Sequence, residues 1–137
     1  MNKKDWKKPI IEEKVLHPKY YFLVQHVDEL ELGKYTDIGE FTYINAEYGV
    51  EIQKNVQIGS HVSIYSVSTI DNKKGKVTIK ENACVGSHST VMPGITIGKG
   101  AVVGAHSYVN KDVPDNAVAF GVPLIIEVEK NGRKKRW

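Results

Sequence analysis

The sequence lacks the features on which several common classes of protein depend. Cys84 is its only cysteine, so an internal disulfide is impossible and a metal site built on cysteines is not expected. No apolar run approaches the ~20 residues that a membrane-spanning helix needs, and no apolar stretch follows Lys3 and Lys4 as it would in a secretory signal. We therefore expect a cytoplasmic protein without a membrane partner.

The sequence also has little net charge. A formal charge of +3 over 137 residues is too small to indicate a nucleic-acid partner, and 41% hydrophobic with 26% charged residues is ordinary for one globular domain. The basic residues crowd the two ends of the chain: Lys3, Lys4, Lys7, Lys8, Arg133, Lys134, Lys135 and Arg136. Such ends are usually solvated tails, and the alternative is that one of them docks a phosphate-rich ligand.

Branched aliphatic residues, by contrast, recur at every sixth position. They are Ile52, Ile58, Ile64, Ile70, then Ile79, Val85, Val91, Ile97, Val103 and Val109, with Leu32, Ile38, Ile44 and Val50 in a phase shifted by two. Neither an α-helix nor a simple strand has this period. We predict a triangular solenoid of four to five coils, in which each hexapeptide supplies one strand and one corner and the aliphatic residues point inward.

Two segments interrupt the period. Residues 71–76 are polar throughout, so we expect a loop extruded from a corner, where binding residues often lie. The turn over residues 110–116 marks the exit from the last full coil. We therefore predict three parts: an N-terminal cap with a basic tail (1–29), the solenoid (30–121), and a C-terminal hook with a basic tail (122–137).

The later segments 85–98, 103–114 and 119–123 resemble the last coils and the C-terminal hook of the hexapeptide-repeat acyltransferases. Within that family the chain looks closest to the galactoside and maltose acetyltransferases and to small sugar-nucleotide N-acetyltransferases. The resemblance implies an all-β, left-handed parallel β-helix that forms homotrimers. It also implies acetyl-CoA as co-substrate, bound between coils of neighbouring subunits, with no metal.

The resemblance further implies which residues bind acetyl-CoA. The backbone at Ser87 and Ala105 should line the pantetheine arm, and Asn110 and Lys111 should lie further along the same ligand. Small residues let a long, thin ligand lie close to the wall, and a basic residue such as Lys111 suits phosphates.

Three histidines occupy the same point of the hexapeptide, third after the aliphatic: His61, His88 and His106. This point is not one of the inward positions, so all three should face outward. His88 and His106 are one coil apart and should stack on one face. The extruded loop changes the residue count, so we expect His61 on a different face.

The family's general base is a histidine just before the extruded loop, and the corresponding position falls at or near Thr69. Two explanations stay open. The acceptor is an amine, which attacks a thioester without prior deprotonation, or another histidine acts as the base. His88 is a better candidate for that base than His61, because it follows Ser87 on the acetyl-CoA wall.

On the acceptor side we expect contacts from Asp37, Glu47 and His61, and Glu47 aligns with a sugar-binding acidic residue of the galactoside enzymes. The predicted reaction is N-acetylation of a nucleotide-linked amino sugar for surface polysaccharide (lipopolysaccharide or O-antigen). The alternatives are sugar O-acetylation with His88 as base and a non-catalytic β-helix that serves as a binding platform.

Overall fold

The computed structural model describes residues 3–128 and shows a parallel β-helix of five coils. The first two coils contain β1 (Leu23–Gln25), β2 (Leu30–Leu32), β3 (Asp37–Ile38), β4 (Tyr43–Asn45), β5 (Val50–Ile52) and β6 (Gln57–Ile58). The third contains β7 (Ser63–Tyr65), β8 (Val67–Ser68), β9 (Lys73–Lys74), β10 (Val77–Ile79) and β11 (Cys84–Val85). The remainder contains β12 (Thr90–Val91), β13 (Thr96–Ile97), β14 (Val102–Val103), β15 (Tyr108–Val109), β16 (Val118–Phe120) and β17 (Ile125–Glu127).

The strands stack on three faces, which confirms the predicted solenoid. The first face consists of β1, β4, β7, β12 and β15, the second of β2, β5, β10 and β13, and the third of β3, β6, β11, β14 and β16. Neighbouring strands of a face are parallel and in register. A bridge between Ile97 and Val113 closes the fifth coil on the second face.

The core is the interior of this helix and consists of the aliphatic residues at the predicted inward positions. Those that are almost fully buried include Ile44, Ile52, Ile64, Ile79 and Ile97. Each such side chain contributes about 2 kcal/mol of hydrophobic stabilisation. Hydroxyl groups that point inward are paired: Ser89 Oγ donates to the carbonyl of Gly104 at 3.0 Å, so its burial leaves no unsatisfied donor.

The coils turn at three corners, where residues adopt a left-handed backbone conformation. The ring corner, between the third and first faces, carries Tyr21, Phe41, His61, His88 and His106. The asparagine corner, between the second and third faces, carries Tyr35, Asn55, Asn82, Gly100 and Asn116. The hairpin corner, between the first and second faces, carries His26, Gly49, Gly94 and the strands β8 and β9.

The extruded segment is a hairpin, because β8 and β9 pair antiparallel. It begins at Val67, before the predicted residues 71–76. Ile70, which the period predicts to point inward, is 99% exposed at the hairpin turn, so that prediction is wrong. The physical reason is that the third coil closes without Ile70: Ile64 on β7 pairs directly with Val91 on β12.

Both ends of the described chain add to the helix. Since β1 pairs with β4, the first coil begins at Leu23, inside the segment 1–29 that we predict as a cap. Phe22 is buried beneath the residues that precede the coil. At the other end, β17 folds back antiparallel on β16, and the predicted basic tail lies beyond residue 128, outside the described residues. The described helices are two short 3-10 turns, Lys3–Asp5 and Val27–Glu29, and neither could cross a membrane.

Candidate functional site

The three histidines at equivalent hexapeptide positions form one exposed column on the ring corner. The His88 ring is parallel to that of His61, with ring centroids 4.6 Å apart, and to that of His106, with centroids 4.9 Å apart. The stacking of His88 with His106 is confirmed, whereas the expectation that His61 lies on a different face is wrong. The hairpin leaves and re-enters the helix at one corner, so Ile58 still pairs with Val85 across it and the phase is unchanged.

Ser87 and Ala105 lie beside this column, each directly before a histidine. The carbonyl of Ser87 accepts a hydrogen bond from the backbone N–H of His106 at 2.9 Å. The backbone N–H groups of Ser87 and Ala105 have no partner among residues 3–128. We call this strip the ring-corner wall. Small side chains beside free N–H groups suit an extended ligand that carries amide carbonyls.

Asn110 and Lys111 are exposed at the far end of β15, where the first face ends. The turn that holds them is fixed by Asp112, whose carboxylate accepts the backbone N–H of Thr96 at 2.8 Å. Strand β15 separates them from Ala105 at its other end. One chain therefore does not bring all four predicted acetyl-CoA residues to one corner.

A pocket of about 480 Å³ lies on the first face beside the hairpin. Its lining consists of Gln25, Tyr43, Asn45, Tyr65, Val67, Ser68, Thr69, Ile70 and Met92. The floor comes from residues that flank the inward aliphatics of β1, β4 and β7, and the hairpin forms a wall. Thr69 is part of that wall. None of these described lining residues has a charged group or an imidazole, so this chain lines the pocket with no carboxylate, lysine or histidine that could act as a general base.

Hydrogen bonds fix the orientation of the pocket floor. The backbone N–H of Glu47 donates to Asn45 Oδ1 at 3.2 Å, and Asn45 Nδ2 donates to Gln25 Oε1 at 3.3 Å. The Tyr43 hydroxyl donates to the same Gln25 oxygen, and the Tyr43 ring lies 5.8 Å from that of Tyr65, between centroids. Burial raises the pKa of Tyr43, so its hydroxyl keeps the proton at neutral pH.

The two predicted acceptor carboxylates are not brought together. Glu47 is exposed on the hairpin corner and touches the pocket floor through its backbone N–H. Asp37 lies on β3 of the third face, where it lines a cavity of about 60 Å³ with Trp6 and Phe22. The two residues could meet one ligand only if copies of the chain were combined.

No motif in the sequence points to the pocket residues Gln25, Tyr43 and Tyr65. Each flanks an inward aliphatic, and the register that pairs Gln25 with Asn45 and Asn45 with Tyr65 brings them side by side. The sequence does contain a pattern that could have indicated them, which is a polar or aromatic residue next to the inward aliphatic in consecutive coils. This pattern can be recognised only when the length of each coil is known.

Within residues 3–128 of one chain, no group of three or more His, Cys, Asp or Glu residues is arranged to hold a metal ion. The stacked histidines explain why. Because their rings lie parallel, their nitrogen lone pairs run side by side instead of converging on one point.

Comparisons with known proteins show the family to which the chain belongs. The family described as "Bacterial transferase hexapeptide (six repeats)" matches residues 76–111. The chain is 36% identical to a galactoside O-acetyltransferase of Lactococcus lactis subsp. lactis over 114 residues, which are 72% of this chain and 55% of the relative. The chain spans 49 to 58% of the length of the first curated relatives it matches, which are galactoside O-acetyltransferases and a serine acetyltransferase.

Solved structures show the same fold. A galactoside acetyltransferase in complex with coenzyme A superimposes with a TM-score of 0.74 at 30% identity, over 79% of this chain and 58% of that chain. AntD, an N-acyltransferase from Bacillus cereus in complex with dTDP and 3-hydroxybutyryl-CoA, gives a TM-score of 0.56 at 26% identity, over 84% of this chain and 70% of that chain. The 36% identity over 72% of the chain, together with the six-residue period carried through five stacked coils, shows that this chain belongs to the hexapeptide-repeat family.

Proposed function

We propose that this chain is an acetyl-CoA-dependent acetyltransferase that acts on a sugar, with the amino group of a nucleotide-linked amino sugar as acceptor. One observation carries the choice of an amine: the described lining of the pocket beside the hairpin has no charged group or imidazole, and it includes Thr69, at or near which the family resemblance places the base. The acetyltransferase and N-acyltransferase relatives support the class of reaction.

Acetyl transfer to an amine does not require the pocket to supply a general base. The nitrogen lone pair of the neutral amine attacks the thioester carbonyl, so an N–C bond forms and the C–S bond breaks. The nitrogen loses one proton and the departing sulfur gains one, which balances the step without a base acting before attack. The carbonyl oxygen gains negative charge meanwhile, and the free N–H of Ser87 on the ring-corner wall is a suitable donor for it.

The assembly follows from the separation of the site residues. We propose a homotrimer in which a neighbouring copy completes the site, since one chain holds Ser87 and Ala105 at a different corner from Lys111. In that arrangement Asp37, Glu47 and His61 contact the acceptor, whereas Ser87, Ala105, Asn110 and Lys111 contact acetyl-CoA. The family resemblance supports a cytoplasmic step in surface polysaccharide synthesis, of the lipopolysaccharide or O-antigen type.

A second candidate is sugar O-acetylation with His88 as general base. It is favoured by the exposed position of His88 next to Ser87 on the ring-corner wall. A hydroxyl acceptor must lose its proton during attack, and an imidazole is suited to take it near neutral pH. If neither reaction occurs, the remaining candidate is a non-catalytic binding platform.

The test follows thiol release from acetyl-CoA by the purified protein. The acceptors are dTDP-4-amino-4,6-dideoxyglucose, related 3-amino and 4-amino nucleotide sugars, and plain hydroxyl sugars. Release with an amino sugar alone supports the proposal, and we then expect His88→Asn to cost less than about tenfold. Under O-acetylation the same change costs at least about a hundredfold.

His106→Asn is the matched control, since it removes another ring of the same column. Equal losses in the two variants would mean that the column, not a base, is required. If no acceptor releases thiol and acetyl-CoA does not raise the melting temperature, the enzyme proposal fails and the binding platform takes its place.

A further inference from the structure

Gln25 occupies a position on the pocket floor that hydrogen bonding orients completely. The orientation begins at the backbone N–H of Glu47, which can only donate and therefore requires the oxygen of the Asn45 side chain at its end of the bond. The Asn45 amide nitrogen then faces Gln25 and donates to Gln25 Oε1. Since the Tyr43 hydroxyl donates to that same oxygen, the Gln25 carbonyl has two partners and its direction is fixed.

As a consequence, the Gln25 amide nitrogen and the Tyr43 hydroxyl oxygen are both left available to a ligand in the pocket. Both N–H groups of Gln25 Nε2 lack a partner among residues 3–128, and Gln25 lines the pocket. The Tyr43 hydroxyl uses its one O–H to donate a hydrogen bond to Gln25, so toward a ligand its oxygen can only accept. A donor and an acceptor therefore stand side by side.

We propose that Gln25 is a specificity-determining residue that binds a hydroxyl of the acceptor sugar, with Tyr43 and Asn45 as the residues that position it. This inference rests on the proposed function. A hydroxyl accepts one N–H of Gln25 through its oxygen and donates its proton to Tyr43 Oη, so it satisfies both groups at once. An ammonium group has no acceptor capacity, and a carboxylate has no proton for Tyr43, so both fit this point less well.

The uncharged lining supports the same class of acceptor. Serine or another amino acid carries two opposite charges, and its recognition in this pocket needs charged partners that the described lining residues do not include, since Asp37 and Glu47 lie outside the lining. A sugar ring presents hydroxyls and an apolar face, and the rings of Tyr43 and Tyr65 offer an apolar surface next to the polar pair.

Two variants of Gln25 distinguish a role in binding the acceptor from a role in holding Tyr43 and Asn45 in place. Gln25→Met removes the N–H groups and also the oxygen that Tyr43 and Asn45 use. Gln25→Glu keeps an oxygen for both of those partners but has no N–H, so an acceptor hydroxyl meets two acceptors and no donor. We expect both variants to raise the KM for dTDP-4-amino-4,6-dideoxyglucose about tenfold, with kcat and the KM for acetyl-CoA little changed.

A role in support alone predicts a different result, because Gln25→Glu would then restore the wild-type KM, and that outcome overturns the inference. Gln57→Met, on β6 of the third face, is the matched control and should leave both KM values unchanged.

A binding measurement keeps this test separate from that of the function. In an NMR spectrum of the ¹⁵N-labelled protein, the side-chain amide signals of Gln25 are identified by their loss in Gln25→Met. Addition of dTDP-4-amino-4,6-dideoxyglucose should shift them. If no acceptor releases thiol but these signals shift, the proposed function fails while the inference stands. If thiol is released and the Gln25 signals do not move, the inference fails while the function stands.

Discussion

The ring corner and the asparagine corner both require a left-handed backbone conformation, but they use different residue types for it. In every coil each corner holds one residue at a φ near +60°, a conformation that costs most residues about 1–2 kcal/mol but that glycine and asparagine tolerate. The asparagine corner uses tolerant residues in four of its five coils: Asn55, Asn82, Gly100 and Asn116. The ring corner uses none, and all of its five residues carry rings.

We infer from this difference that stacking between coils offsets backbone strain at the ring corner. Ring centroids lie 5.3 Å apart between Phe41 and His61, and 4.6 to 4.9 Å apart along the histidines, close to the spacing of the strands beneath them. Each stacked pair contributes about 0.5–1.5 kcal/mol. At the asparagine corner, coils are joined by backbone bonds such as that from Asn82 N–H to the carbonyl of Lys54. The ring corner has such backbone bonds too, for example from His88 N–H to the carbonyl of Ser60, and adds to them a stack of rings that runs from coil to coil.

The largest effect should come from what the two corners share, which is a glycine just before the turn. A Cβ on Gly86 would lie 2.5 Å from the backbone nitrogen of Ala105, and a Cβ on Gly98 would lie 2.4 Å from that of Asp115. Because backbone atoms cannot move aside cheaply, we expect Gly86→Ala and Gly98→Ala each to cost about 3 kcal/mol, measured as a fall in the thermal unfolding temperature.

Gly94→Ala is the control for backbone strain alone. Gly94 has a φ of +79° but nothing within 4 Å of an added Cβ, so its substitution should cost only about 1 kcal/mol. If all three glycine variants unfold at the same temperature, close approach of the coils is not what requires glycine before either corner.

A smaller effect should come from exchanging the residue types of the two corners. His88→Asn relieves the left-handed strain but loses two stacked neighbours, His61 and His106. We expect a net loss of about 1 kcal/mol, measured by thermal unfolding of the purified protein. The reverse exchange, Asn82→His, adds strain next to Asn55 and Gly100, which offer no ring, so it should also cost about 1 kcal/mol. A more stable His88→Asn protein would mean that strain exceeds stacking and that the rings are kept for another reason.

The comparison of corners also explains how much of the structure the sequence could predict. The period of six residues identifies the inward positions, so the solenoid, its number of coils and most of its core follow from it. The period says nothing about what an interruption does to the phase. It places His61 on the wrong face because strand pairing restores the phase after the hairpin, and it places Ile70 inward because the hairpin begins at Val67, before the polar residues.

The candidate site was less predictable for a related reason. The ring-corner wall follows from a local motif, since Ser87 and His88 are adjacent in the chain. The pocket floor is built from Gln25, Tyr43 and Tyr65, which come from three successive coils. Their proximity depends on exact coil lengths, and their hydrogen bonds depend on side-chain directions that no spacing rule contains. The sequence could therefore predict the wall but not the orientation of Gln25.

The smallest expected effect concerns the hairpin corner, where the left-handed residue His26 is stabilised neither by ring stacking nor by being glycine or asparagine. His26 has a φ of +61° and no stacked neighbour among the described residues. Instead, the Glu13 carboxylate accepts the backbone N–H groups of His26 and Val27, each at 2.8 Å. These two hydrogen bonds lower the pKa of Glu13 below its ordinary value of 4.5, and the one from Val27 contributes most.

Because the folded-state pKa of Glu13 is lowered, its stabilising effect is fully present above about pH 4.5 and is lost as the pH falls through the lower, folded value. Glu13→Gln keeps one oxygen but turns an amide N–H₂ toward a backbone N–H. We expect a slightly lower unfolding temperature than that of the wild type at about pH 7, and a difference that narrows below about pH 4.5 as the wild type loses its charge. Glu12→Gln, one residue earlier, should change nothing at either pH. A difference that stays constant with pH would show that the carboxylate charge does not stabilise this corner, and that its left-handed residue is held without help from the charge of Glu13, unlike the stacked rings of the ring corner.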